Sequence, residues 1–102
     1  MFTPIKITEK ALREIKNICK KKQIPAEYGL RVGARGGGCG GLSFILGFDT
    51  QKPEDGVYQI DDLAVLIEKK DTMYLVGVTI DWIERDQEKG FTFIRESALQ
   101  RS

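Results

Sequence analysis

The chain has 102 residues, 41% of them hydrophobic and 30% charged, with a net charge of +1. That length suits one domain spanning 1–102 with one core, and the composition excludes a disordered or fibrous chain. The near-neutral balance gives no reason to expect nucleic acid or an anionic membrane as partner.

No apolar run approaches the roughly 20 residues that a membrane helix needs. Residues 1–10 mix Lys6, Glu9 and Lys10 with apolar ones and hold no signal-peptide core, so a soluble cytoplasmic protein is expected. The 2 cysteines, Cys19 and Cys39, are too few for a disulfide scaffold and read as free thiols. Histidine is absent, which removes the usual metal ligand and the usual general base. No acid–base pair stands at a recognisable spacing, so no enzyme is expected, and any metal or thiol chemistry must run through cysteines, carboxylates or hydroxyls.

Thr8 suits a helix N-cap, with Glu9 in the first turn. Ala11, Leu12, Ile15, Ile18 and Cys19 recur at three- and four-residue spacing, the stripe of an amphipathic helix. Lys20, Lys21 and Lys22 close it favourably for the helix dipole, and Pro25 ends it. Cys19 shares the stripe with Leu12 and Ile15 and is read as a small core residue. Residues 28–34 form a short strand with Leu30 and Val32 on one face. Leu42, Phe44, Leu46 and Phe48 alternate with Ser43, Ile45 and Gly47, a strand with one strongly apolar face.

Residues 51–56, with Pro53 and Asp55-Gly56, read as a turn. Residues 57–60 and 63–67 are strand-like, and 69–76 suit a short helix before Gly77. Residues 78–83 alternate again, 86–90 read as a polar hairpin loop, and Phe91 and Phe93 mark a last strand. The expected class is α+β, with mixed sheets packed against an N-terminal helix.

The segment Gly36-Gly37-Gly38-Cys39-Gly40-Gly41 is the most informative. On paper it fits two nucleotide-binding patterns. Both require a helix directly afterwards, whose N-terminus holds the phosphate, and here a strand pattern follows. The phosphate-binding lysine position holds Leu42. What remains is a cysteine with little side-chain bulk around it, with Arg31 and Arg35 upstream as cations that could favour thiolate. Cys39 is then a metal or cluster ligand, or a redox-reactive thiol. The competing reading is a tight strand connection in which the cysteine is incidental.

Gly29-Leu30-Arg31-Val32-Gly33, followed by Gly36-Gly37-Gly38-Cys39-Gly40-Gly41-Leu42-Ser43-Phe44, resembles the signature of the HesB-like A-type iron–sulphur cluster carriers, the IscA and SufA group. Ile7-Thr8-Glu9-Lys10-Ala11, Tyr74-Leu75 with Gly77 and Ile80-Asp81-Trp82, and Gly90-Phe91-Thr92-Phe93 resemble later parts of the same pattern. The resemblance implies a β-rich fold, a homodimer or larger oligomer, and iron or a [2Fe–2S] cluster bound by three cysteines. Cys39 matches the first.

The other two belong to a C-terminal Cys-Gly-Cys that is not found here. Arg95-Glu96 replaces the family's Asn-Pro, and Ser102 falls where the first of that pair would be. The departure reads as a natural variant rather than a simple truncation. Cys39 is thus the expected cofactor and metal ligand, holding iron or a cluster weakly. The other ligands would come from a second copy, from an iron–sulphur client or assembly protein, from a small thiol, or from oxygen groups such as Asp81, Glu84 or Ser102. Two alternatives stay open: a scaffold that kept the fold without the metal, and a thiol-redox protein working through Cys39.

Overall fold

The computed structural model describes residues 3–36 and 42–95. The chain divides into two compact units, one built from Met1–Gln23 with Val76–Ser102 and the other from Ile24–Leu75.

In the first unit, strand β1 (Ile5–Ile7) runs parallel to β6 (Val78–Arg85), with Ile5 opposite Val78 and Ile7 opposite Ile80. Strand β7 (Glu88–Arg95) pairs antiparallel with β6, giving the order β1-β6-β7. Helix α1 (Glu9–Lys22) follows β1 after a single residue. That residue, Thr8, does three things at once. Its backbone N–H donates to the Ile80 carbonyl at 3.0 Å, extending the β1–β6 ladder. Its hydroxyl accepts from the Ala11 N–H at 3.2 Å, capping the helix. The same hydroxyl donates to Asp81 Oδ1 at 2.7 Å.

Ala11, Leu12 and Ile15 are the buried face of α1, which packs on β6, where Val78 and Ile80 are fully buried. Each Leu, Ile or Val among them contributes about 1.5–3 kcal/mol by leaving water. The helix stops at Gln23, two residues before Pro25. Gln23 takes the left-handed conformation and turns its N–H back to the carbonyls of Cys19 and Lys20.

In the second unit, β2 (Tyr28–Gly36) and β3 (Leu42–Thr50) form an antiparallel hairpin paired from Tyr28 opposite Thr50 to Gly36 opposite Leu42. Strand β4 (Asp55–Ile60) pairs antiparallel with β5 (Leu63–Glu68), and β5 runs parallel to β2. The order is β3-β2-β5-β4. The two central strands carry the core: Leu30, Val32 and Ala34 on β2, and Val65, Leu66 and Ile67 in a row on β5. An uninterrupted apolar run is what a parallel strand buried on both faces requires. A 3-10 turn (Lys69–Asp71) leads into helix α2 (Thr72–Leu75), which buries Leu75.

The mixed-sheet α+β architecture with an N-terminal helix is as expected, but several boundaries move. Strand β1 was not anticipated, because three residues leading into a helix carry almost no period. The polar loop at 86–90 shrinks to Asp86-Gln87, since Glu88 already pairs with Arg85. The turn at 51–56 ends early, because Asp55 and Gly56 belong to β4. The apolar face of β3 is half-buried rather than core: Phe44, Leu46 and Phe48 all retain solvent contact.

Candidate functional site

The β2–β3 hairpin carries the glycine-rich segment. Residues 37–41, Cys39 among them, connect its two strands and lie outside the described residues. The described part of the hairpin has two supports.

The first support is Arg31. Its Nη1 and Nη2 donate to both oxygens of Asp55, at 2.8 and 2.7 Å. Its Nε donates to Asp49 Oδ2 at 2.9 Å, and Nη2 also donates to the Thr50 carbonyl at 3.2 Å. One planar guanidinium thus joins β2, the end of β3 and the start of β4, a geometry that arginine's donor fork suits. The Asp55 side chain is fully buried and also accepts the Lys52 N–H at 2.7 Å.

These hydrogen bonds set the local acidities. Asp55 is held below the ordinary carboxylate range, chiefly by the bond from Arg31. Asp49 is lowered to about 2, chiefly by Lys52 and the Thr50 N–H, with Arg31 adding to them. The Arg31 guanidinium is made still harder to deprotonate, above all by Asp55.

This corrects one expectation. Arg31 is committed to two carboxylates and sits five residues, about 17 Å of strand, from the end of the ladder at Gly36. Its charge braces the hairpin instead of favouring a thiolate. The exposed Arg35, opposite Ser43 and next to the last pair, is the cation beside the segment.

The second support is Asp71, a buried carboxylate whose Oδ2 accepts the Ala34 N–H at 3.4 Å. Lys70 Nζ lies 3.6 Å from both Asp71 Oδ1 and Glu68 Oε1. Along this face of β2 runs a concavity of about 550 Å³, lined by Gly33, Arg35, Ile45, Glu68, Asp71 and Tyr74 among others. Its charges are of both signs, with Lys70 close to both Glu68 and Asp71.

Of the oxygen groups named from the sequence, Asp81 and Glu84 are already engaged. Asp81 is half-buried, and it accepts from the Thr8 hydroxyl and from the Trp82 N–H at 2.8 Å. Those two bonds, Thr8 first, hold its carboxyl below the ordinary carboxylate range. Glu84 accepts from Trp82 Nε1 at 3.4 Å and lies 3.7 Å from Lys89. Trp82 itself meets the Phe91 ring edge-to-face, with centroids 4.8 Å apart. Ser102 lies outside the described residues.

Cys19 is half-buried on α1, where burial raises its thiol and disfavours the thiolate that binds metal. Among the described residues, no three His, Cys, Asp or Glu side chains come together in a way that could hold a metal ion. Two structural acids escaped the sequence reading. Asp55 was hidden in an Asp-Gly turn signal, and Asp71 stands beside a lysine in a polar stretch with no period to mark it.

Residues 3–99 match the family model described as iron–sulphur cluster biosynthesis. The chain belongs to that family. Its HesB-like, A-type character is carried by its relatives. It is 36% identical to the SufA protein of Bacillus subtilis over 97% of this chain and 82% of that one. Its fold matches the crystal structure of Escherichia coli SufA with a TM-score of 0.80, covering 100% of this chain and 89% of that chain at 18% identity. It also matches a structure of IscA determined with a [2Fe–2S] cluster, with a TM-score of 0.70 over 90% of this chain and 82% of that one, at 22% identity.

Proposed function

We propose that this HesB-like family member carries iron or a [2Fe–2S] cluster as cargo, with Cys39 as its own ligand. The observation that supports this is the place of Cys39 in the sequence: a lone thiol inside a glycine-rich segment, between the two nine-residue strands of a hairpin braced by Arg31, in a chain matched to the family from residue 3 to 99. That match runs through both compact units, in keeping with one HesB-like domain.

The remaining ligands come from outside the described residues: from an iron–sulphur client, an assembly protein or a second copy. A cluster normally takes four ligands, mostly thiolates, so one cysteine grips it weakly and releases it readily. The role is carriage rather than catalysis, in the cytoplasm, without nucleic acid or membrane as partner.

Anaerobic reconstitution with ferrous iron and sulfide tests the reading. Thiolate-to-iron absorption is expected in the wild type and in Cys19→Ser, and is lost in Cys39→Ser. A colourless wild type that still captures client proteins would instead favour a scaffold that has given up the metal. Fast alkylation of Cys39 without any cluster would favour thiol-redox chemistry.

A further inference from the structure

Past Arg31 the neighbour of β2 changes. Its parallel ladder with β5 holds at Leu30 and Arg31. Beyond them the 3-10 turn and α2 pack on β2, and Asp71 Oδ2 accepts the Ala34 N–H in place of a neighbouring strand. Gly33 permits this, since a Cβ there would lie 3.2 Å from Asp71 Oδ2. The concavity of about 550 Å³ lies where β5 has turned away, wholly within the second unit. The Asp71 side chain is only 10% exposed, yet its bond to Ala34 is long, at 3.4 Å. Its Oδ1 has no hydrogen bond among the described residues, because Lys70 Nζ at 3.6 Å stands beyond reach. An unbonded oxygen on so enclosed a carboxylate is costly, and a donor is wanted there. Glu68 Oε1 lies 3.6 Å from the same Nζ. The two carboxylates thus mark the seat of an ammonium, held for now by a lysine that is 74% exposed.

We propose that this concavity binds a short zwitterionic peptide thiol of the glutathione class. The ligand's ammonium displaces Lys70 and sits between Glu68 and Asp71. Arg35, in the same lining, offers its guanidinium to a carboxylate, the anion that its donor fork fits. Between these two ends run Val32, Ala34 and Gly36, alternate residues of β2. Their backbone groups face the side on which the Ala34 N–H meets Asp71, so the ligand's amides have a strand to lie along. Charges of both signs, set apart along an extended backbone, suit a peptide with two charged ends. They do not suit a simple anion or a lone amine.

The zwitterion site stands on the geometry alone, while the role of the sulfur rests on the carrier reading. One cysteine leaves a cluster short of thiolates, and a bound peptide thiol supplies another. On coordination the thiol gives its proton to water and a sulfur lone pair to iron, with no change of oxidation state. Gly36 belongs to the lining and precedes Cys39 by three residues in the chain.

Titration of the metal-free full chain with S-methylglutathione, followed by calorimetry and amide NMR shifts, tests the site without any cluster. Binding is expected in the wild type and equally in Cys39→Ser, with shifts at Ala34, Gly36 and Asp71. Asp71→Asn, which keeps an oxygen for the Ala34 N–H, is expected to weaken it about tenfold or more. Arg35→Gln changes an exposed side chain that the fold does not need, and is expected to weaken it about threefold or more. Absence of binding, or binding indifferent to both substitutions, would overturn the site. The sulfur is tested by anaerobic reconstitution of the wild type. Reduced glutathione is expected to slow loss of the cluster to a chelator about fivefold, whereas S-methylglutathione and the Asp71→Asn variant show no such gain. Equal protection by the two peptides would overturn the sulfur's role. A chain that stays colourless with either peptide would overturn the carrier reading and that role with it, while the metal-free titration still decides the site by itself.

Discussion

Arg31 concentrates more of the hairpin's stability than any other charged side chain described. With Arg31 replaced by Met, the fully buried Asp55 loses both of its guanidinium bonds. Breaking one partner of a buried pair typically costs about 3–5 kcal/mol. The expected result is a large drop in the urea midpoint of Arg31→Met, read by circular dichroism, with a smaller drop for Arg31→Lys, which keeps charge but loses the fork.

The sign of the pH dependence follows from the same cluster. Asp49 and Asp55 both sit below their ordinary 3.8 when folded, Asp49 at about 2. Carboxyl groups depressed in this way stabilise the fold above the unfolded value, and the gain disappears as pH falls through the folded one. The urea midpoint should therefore be flat from pH 7 to about 5, then fall steeply towards pH 2. In Arg31→Met the fall should be shallower, because Asp55 has lost the main cause of its depression. None of this could be read from the sequence, where Arg31 stood near a cysteine and Asp55 stood in a turn. Only the folded register brings residues 31, 49 and 55 together.

At the scale of elements, the parallel pairing of β2 with β5 rests on Gly29. A Cβ there would lie 2.8 Å from the Ala64 carbonyl oxygen and 3.1 Å from Leu66 Cγ. Backbone cannot swing aside as a side chain can, so Gly29→Ala should force the two central strands apart. A cost of about 1–3 kcal/mol is expected, measurable as a lowered urea midpoint, while Gly36→Ala, with nothing within 4 Å among the described residues, should cost far less.

The elements themselves were largely legible. Ala11, Leu12 and Ile15 marked the helix face that is buried, and Leu30 and Val32 marked the core side of β2. Alternation predicts a two-faced strand, however, and cannot tell an edge from a centre. That is why Leu42 to Phe48 read only as a strand with one strongly apolar face, and its place at the end of the described sheet order did not show. The site was legible only as a motif. The glycines and Cys39 could be found, but Arg31's partners and the Asp71 anchor depend on residues far away in sequence.

At the scale of the whole molecule, the second unit is continuous in sequence while the first is assembled from both sides of it. Contacts between distant residues form slowly, because loop closure must precede them. In pulsed hydrogen exchange during refolding, the amides of β2 and β3, paired across a short connection, should gain protection before those of β1 and β6. Simultaneous protection of all four strands would contradict that order.

The Thr8–Asp81 hydrogen bond has a further consequence during synthesis. Its two residues are 73 positions apart. A ribosome adding 5–20 residues each second makes the N-terminal partner roughly 4–15 s before the C-terminal one. Through that interval the greasy stripe of the nascent helix has no β6 to lie on. A chaperone that recognises amphipathic helices would find its target during translation, and would lose it once Asp81 has emerged.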